Sequence, residues 1–147
     1  MKIMRRLLTL AIAVTLFAAV KASADGILDA NTATKEQLVA LPHMDETLAD
    51  VVISNRPFVT IGELNNILGA DLDEDQLEEV YGKVFVPIGL NTAAESDILL
   101  IPGVGRRMAH EFEEYRPYTS MEQFRREIGK YVDEEEVARL EQYVTLD

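Results

Sequence analysis

The sequence predicts an all-α protein made of two tandem units, each of about four short helices. Three observations carry this. First, shifting the chain by 60 residues overlays it on itself without a gap, which marks two copies of one structural unit. Asn31-Thr32-Ala33 falls on Asn91-Thr92-Ala93, Pro42 on Pro102, Arg56-Pro57 on Arg116-Pro117, Gly69 on Gly129, and Val84 on Val144. Second, helix-start signals recur ahead of apolar residues at helical spacing. Third, helices account for the apolar pattern throughout, and strands are not needed anywhere.

The first unit reads in order as follows. Thr34-Lys35-Glu36-Gln37 is a capping box that opens a helix carrying Leu38 and Leu41, and Pro42 stops it. A second helix spans about Glu46 to Asn55, with Leu48, Val51 and Val52 inward. It breaks at Arg56-Pro57, because a residue before proline resists the helical region. Thr60-Ile61-Gly62-Glu63 opens a third helix that buries Leu64, Ile67 and Leu68 and ends at Gly69. Asp73-Glu74-Asp75-Gln76 caps a fourth with Leu77, Val80 and Tyr81 inward. The apolar tail Val84-Phe85-Val86-Pro87 then forms the joint to the next unit.

The second unit repeats the plan. Ala94 stands where Thr34 caps the first helix, so that start is expected to fray. Ser120-Met121-Glu122-Gln123 caps the third helix. Asp133 to Glu136 cap the fourth, which carries Val137, Leu140 and Tyr143.

Ahead of both units lie Lys2, Arg5 and Arg6, the 14-residue apolar run Leu7 to Val20, and Lys21-Ala22-Ser23-Ala24. This is the pattern of a secretory signal peptide over 1–24, with cleavage after Ala24. The run is short of the roughly 20 residues a membrane span needs. The expected location is therefore periplasmic or extracellular, with no membrane span after cleavage. The units then occupy 25–87 and 88–147. There is no cysteine. Past residue 24, ten basic residues face 26 acidic ones, a formal charge of −16. Such a field favours solubility and repels polyanions at long range.

One stretch departs from simple helix packing. In Ile101-Pro102-Gly103-Val104-Gly105, Pro102 ends an apolar run, and two glycines let the backbone approach a ligand closely. Arg106-Arg107 open the next helix, with Val104, Met108, Ala109, Phe112 and Tyr115 along one face. Bare amides at a helix N-terminus beside two cations suit a phosphate. The competing reading is a structural corner that uses glycine for tight packing.

The order Asn-Thr-Ala, apolar helix, Pro-Gly-Val-Gly, then Arg-Pro-aromatic-x-Ser/Thr resembles the helix-hairpin-helix family. Within it the chain is most similar to the ComEA-like exported DNA-binding proteins of natural competence. The likeness covers Asn91 to Val144 well and Asn31 to Val84 less well. It implies a grip on duplex DNA regardless of sequence. The backbone of Gly103, Val104 and Gly105 would hold phosphates, flanked by Arg106 and Arg107. The first unit has Pro42-His43-Met44-Asp45 at the equivalent corner, with a Cβ and a negative charge where glycines belong, so it is expected not to hold a phosphate. The corners at Gly69 and Gly129 are not Gly-x-Gly either. One intact hairpin implies weak, salt-sensitive binding.

Charge is uneven. Lys35, Arg56 and Lys83 face 13 acids over 25–87, whereas seven cations face 13 acids over 88–147. The seven include Arg116, Arg125, Arg126, Lys130 and Arg139. They fit a local DNA face on the second unit, or equally ion pairs along helix surfaces, such as Glu122 with Arg126. The alternating Asp71, Asp73 and Asp75 suggest a calcium loop, but Gln76 and Gly82 occupy positions that need glycine and glutamate, so helix capping is the better account. His43 and His110 have no ligand spacing. No nucleophile–base arrangement appears, so the expected function is non-enzymatic binding with no cofactor and no metal. The expected partner is the DNA backbone. The alternative is another exported protein, with the fold kept as an acidic adaptor.

Overall fold

The computed structural model describes residues 26–147, so the signal segment 1–24 lies outside the described residues. The described chain is mostly helical. Its helices are α1 (Lys35–Val39), α2 (Glu46–Ser54), α3 (Ile61–Leu68), α4 (Glu74–Tyr81), α5 (Glu95–Ile98), α6 (Arg106–Glu114), α7 (Met121–Ile128) and α8 (Glu134–Glu141). The helices of the first half begin at 35, 46, 61 and 74, and those of the second at 95, 106, 121 and 134.

The starts are set locally. Thr34, Thr60 and Asp73 each accept from the backbone N–H three residues on, and Gln37, Glu63 and Gln76 return the bond, closing three capping boxes. Ser120 and Asp133 accept from Gln123 and Glu136 in the same way, but there the reciprocal bond is missing. Gln123 turns instead to the Thr119 amide and the Tyr115 carbonyl. Ala94 gives α5 no side-chain cap, and α5 is four residues long against five in α1.

Strands do occur, contrary to the sequence expectation. β1 (Leu28–Asp29) pairs in parallel with β2 (Val84–Phe85), and β3 (Ile88–Gly89) with β4 (Val144–Thr145). Each ladder has two residues per strand, too short for any alternating pattern to register in the sequence. It closes a half by tying its entry to its exit, 56 residues later (Leu28 to Val84, Ile88 to Val144).

The motifs that match across the 60-residue shift have structural work. The Asn31 side chain donates to the Phe58 carbonyl at 2.9 Å and accepts from the Phe58 amide at 2.7 Å. Asn91 does the same with Tyr118, at 3.0 and 2.7 Å. Arg56 donates to the carbonyls of Ala30 and Ala33, and Arg116 to those of Leu90 and Ala93. The Arg56-Pro57 and Arg116-Pro117 bonds are cis. One difference is repaired from far away. Asp29 accepts from the Asn31 amide at 2.8 Å, but Gly89 stands at the matching position of the second half. There the Asp147 carboxylate reaches in and accepts from the Asn91 amide at 2.7 Å and from the Thr92 hydroxyl.

The two halves share one apolar core. Phe85 sits edge-on to both Tyr81 and Tyr143, with ring centroids 5.7 and 4.9 Å apart. The Tyr143 hydroxyl donates to the Tyr81 carbonyl at 2.9 Å, a buried bond between the halves. The expected core holds for Leu48, Val52, Leu64, Leu68, Val80 and Tyr81, while Ile67 and Leu77 are only half-buried. Val51 is corrected: it is 38% exposed, because α2 buries the stripe Leu48, Ala49 and Val52, and Val51 falls beyond its edge.

Candidate functional site

The corner between α5 and α6 forms because the helix stops at Ile98, a turn carries Leu99 to Ile101, and Gly103 takes φ +78°. Only glycine enters that left-handed region without penalty. The turn leaves Gly103, Gly105, Arg106 and Arg107 exposed. Gly105 is the N-cap residue of α6 and offers no side-chain cap. The amides of Gly103, Gly105, Arg106, Arg107 and Met108 have no acceptor among the described residues. Val104 differs from the sequence expectation. Its N–H donates to the Ile101 carbonyl at 3.0 Å and its side chain is buried, so it anchors the hairpin rather than offering an amide.

The matching corner of the first half has the same backbone with different chemistry. His43 takes φ +60°, in the left-handed region, as Gly103 does. Asp45 is the N-cap of α2, and its carboxylate accepts from the Leu48 amide at 2.8 Å. An anion therefore already sits on the α2 N-terminus, supplied by the chain itself. The corresponding place on α6 is open: a Cβ built on Gly105 meets nothing within 4 Å.

Most of the second half's cations are engaged in ion pairs and hydrogen bonds within the chain. Arg116 holds backbone carbonyls. Arg125 pairs with Glu141 and, at 3.5 Å, with Glu122. Arg126 pairs with Glu127 at 2.9 Å rather than with Glu122, because Glu127 is drawn inward between Arg126 and Lys130. The Glu127 side chain is only 11% exposed, and its hydrogen bonds to Lys130 and then Arg126 hold its carboxyl below the usual range. Arg139 pairs with Glu136. Among the described residues, Arg106, Arg107 and Lys83 are left with neither an ion pair nor a hydrogen-bonded partner.

Two features beside the hairpin escape sequence reading. A groove of about 470 Å³ separates it from the first half, with Leu99 to Gly105 on one wall and Glu74, Leu77, Glu78 and Tyr81 on the other. On its other side, a cleft of about 420 Å³ joins Gly105 and Arg107 to Lys130 and Tyr131. The Tyr131 hydroxyl lies 2.8 Å from that of Tyr115, and Lys130 stands 4.9 Å from the Tyr115 ring centre. Tyr118 is buried with no hydrogen-bond partner for its hydroxyl, and burial pushes that group up to about 12.

Among the described residues no group of His, Asp and Glu is placed to hold a metal ion. No helix there is long and apolar enough to cross a membrane. Comparison with protein-family models, with curated proteins and with solved structures found no match to this chain.

Proposed function

We propose that the chain is an exported, non-enzymatic protein that binds duplex DNA regardless of sequence, in the manner of the ComEA-like proteins it resembles. It consists of two tandem helix-hairpin-helix units, a degenerate one over 25–87 and one with an intact hairpin over 88–147. The observation that carries the reading is the uncapped N-terminus of α6, with exposed amides flanked by two unpaired arginines. The amides of Gly103, Gly105, Arg106, Arg107 and Met108 receive a backbone phosphate, and the guanidinium groups of Arg106 and Arg107 neutralise it. Val104 pins the turn from below. No cofactor or metal enters this reading. With few cations against a strongly acidic chain, binding is weak and strongly salt-dependent.

The test is fluorescence anisotropy of a labelled duplex of about 30 base pairs at low and moderate salt. Binding that weakens steeply with salt supports phosphate contacts. No binding at low salt refutes the reading.

A second reading is favoured by the Asp45 cap and by the pairing of most cations with glutamates. On that reading the fold is kept as an acidic adaptor for another exported protein. A pull-down from the exported compartment that returns no protein partner, beside clear DNA binding, dismisses it.

A further inference from the structure

We infer that Arg139, on α8, is a third cation of the phosphate site and the residue that braces its hairpin; this rests on the DNA reading above. Arg139 lies 32 residues beyond Arg107 in sequence, yet its Nη2 donates to the Pro102 carbonyl at 2.8 Å. The same nitrogen is 3.4 Å from where a Cβ on Gly103 would stand. The guanidinium therefore lies against the left-handed turn that exposes the hairpin amides.

Its donors have two partners. Nε and Nη2 hold the Glu136 carboxylate at 2.8 and 2.7 Å, and Nη2 also holds Pro102. Guanidinium carries five N–H donors; Nε and Nη2 are taken by Glu136 and Pro102, and the group also lies 5.7 Å from the Tyr143 ring centre. Its side chain is about one-third exposed. An anion at Gly103 thus finds a cationic charge held beside the turn by a planar, two-point bond.

The first half supplies an independent comparison. The residue at the matching position of α4 is Glu79, and its carboxylate lies 3.0 Å from His43 Nε2, at the matching turn. In both halves the fourth helix sends one long side chain to the left-handed residue of the corner. Where the corner is open, that side chain is cationic; where Asp45 already fills the helix N-terminus, it is anionic. The charge of the brace follows the state of the site.

The test compares Arg139→Gln and Glu136→Gln with the parent protein by duplex anisotropy across a salt series. Arg139→Gln is expected to weaken binding about tenfold at low salt and to reduce the slope of log affinity against log salt by about 0.9, the value for one lost phosphate contact. Glu136→Gln leaves the backbone bond to Asp133 in place and frees Arg139 from its carboxylate, so binding is expected to tighten about threefold. Unchanged affinity in Arg139→Gln overturns the inference. So does weaker binding with an unchanged slope, which would make Arg139 a purely structural brace. If Arg139→Gln fails to fold, Glu136→Gln decides alone: tighter binding supports the inference, and equal or weaker binding overturns it. If the parent shows no salt-dependent binding and neither variant gains any, the DNA reading falls and the inference with it. If the parent binds and both variants match it, only the inference falls.

Discussion

Gly105→Asp separates stability from binding at one atom site. Gly105 has φ −93° and ψ 176°, close to the φ −120° and ψ 179° of Asp45, so aspartate fits without strain. Its Cβ enters open space. Its carboxylate would accept from the Met108 amide as Asp45 accepts from Leu48 at 2.8 Å. Replacing glycine by aspartate at an N-cap is worth a few tenths of a kcal/mol. The negative charge on the helix dipole adds about 0.3–1 kcal/mol, and the reduced freedom of the unfolded chain adds about 0.4–1 kcal/mol. Repulsion within an acidic protein offsets part of this. A net gain of about 1 kcal/mol raises Tm by about 3–5 °C for a chain of this size. Binding moves the other way, because the new carboxylate occupies the amides and repels the phosphate. Affinity for duplex DNA is expected to fall more than about tenfold, a cost above roughly 1.4 kcal/mol. Thermal unfolding by far-UV circular dichroism and duplex anisotropy on the same sample read both quantities. A more stable variant that still binds DNA as the parent does would refute the phosphate site. A less stable variant would refute the claim that the α6 N-terminus is open.

Further perturbations test other parts of the same reasoning. Gly103→Ala forces a Cβ into φ +78° and is expected to destabilise by about 1–2 kcal/mol, read as a lower midpoint in urea unfolding. Tyr143→Phe deletes the buried bond to the Tyr81 carbonyl and leaves that carbonyl unpaired, at a cost of about 1–3 kcal/mol; the two halves should still unfold in one transition, because they share a core. Acid should destabilise the protein through Glu127 and Glu141, whose partners Lys130 and Arg125 lower their folded pKa values. That stabilisation is complete above the unfolded carboxylate range and is lost as pH falls through the lower folded values, so Tm should drop below about pH 5. The Glu127→Gln, Glu141→Gln double variant should show a shallower drop. Finally, His43→Gly, Asp45→Gly, Glu46→Arg, Thr47→Arg and Glu79→Arg together copy the second hairpin and its brace onto the first. DNA affinity should rise and its salt dependence steepen, as a second phosphate contact requires; an unchanged slope would show that these positions do not define the site.

Where helices begin and where the chain turns is legible in the sequence. Thr34, Thr60, Asp73, Ser120 and Asp133 act on amides three residues away, so their signal is short-range and legible. The hairpin was legible for the same reason: a glycine at positive φ and an uncapped helix start are properties of neighbouring residues. Tertiary packing set the partners of two cations. Arg125 meets Glu141 and Arg139 meets Pro102 only because α8 packs beside α7 and the hairpin, and nothing within a helical turn of either arginine announces these partners. It alone placed Val51 outside the buried stripe and drew Glu127 inward. It alone paired β1 with β2 and sent Asp147 to the position that Gly89 leaves empty. The strand and Asp147 contacts join residues more than 50 positions apart, where the packing of whole elements, rather than the preference of any residue for its neighbours, sets which groups meet.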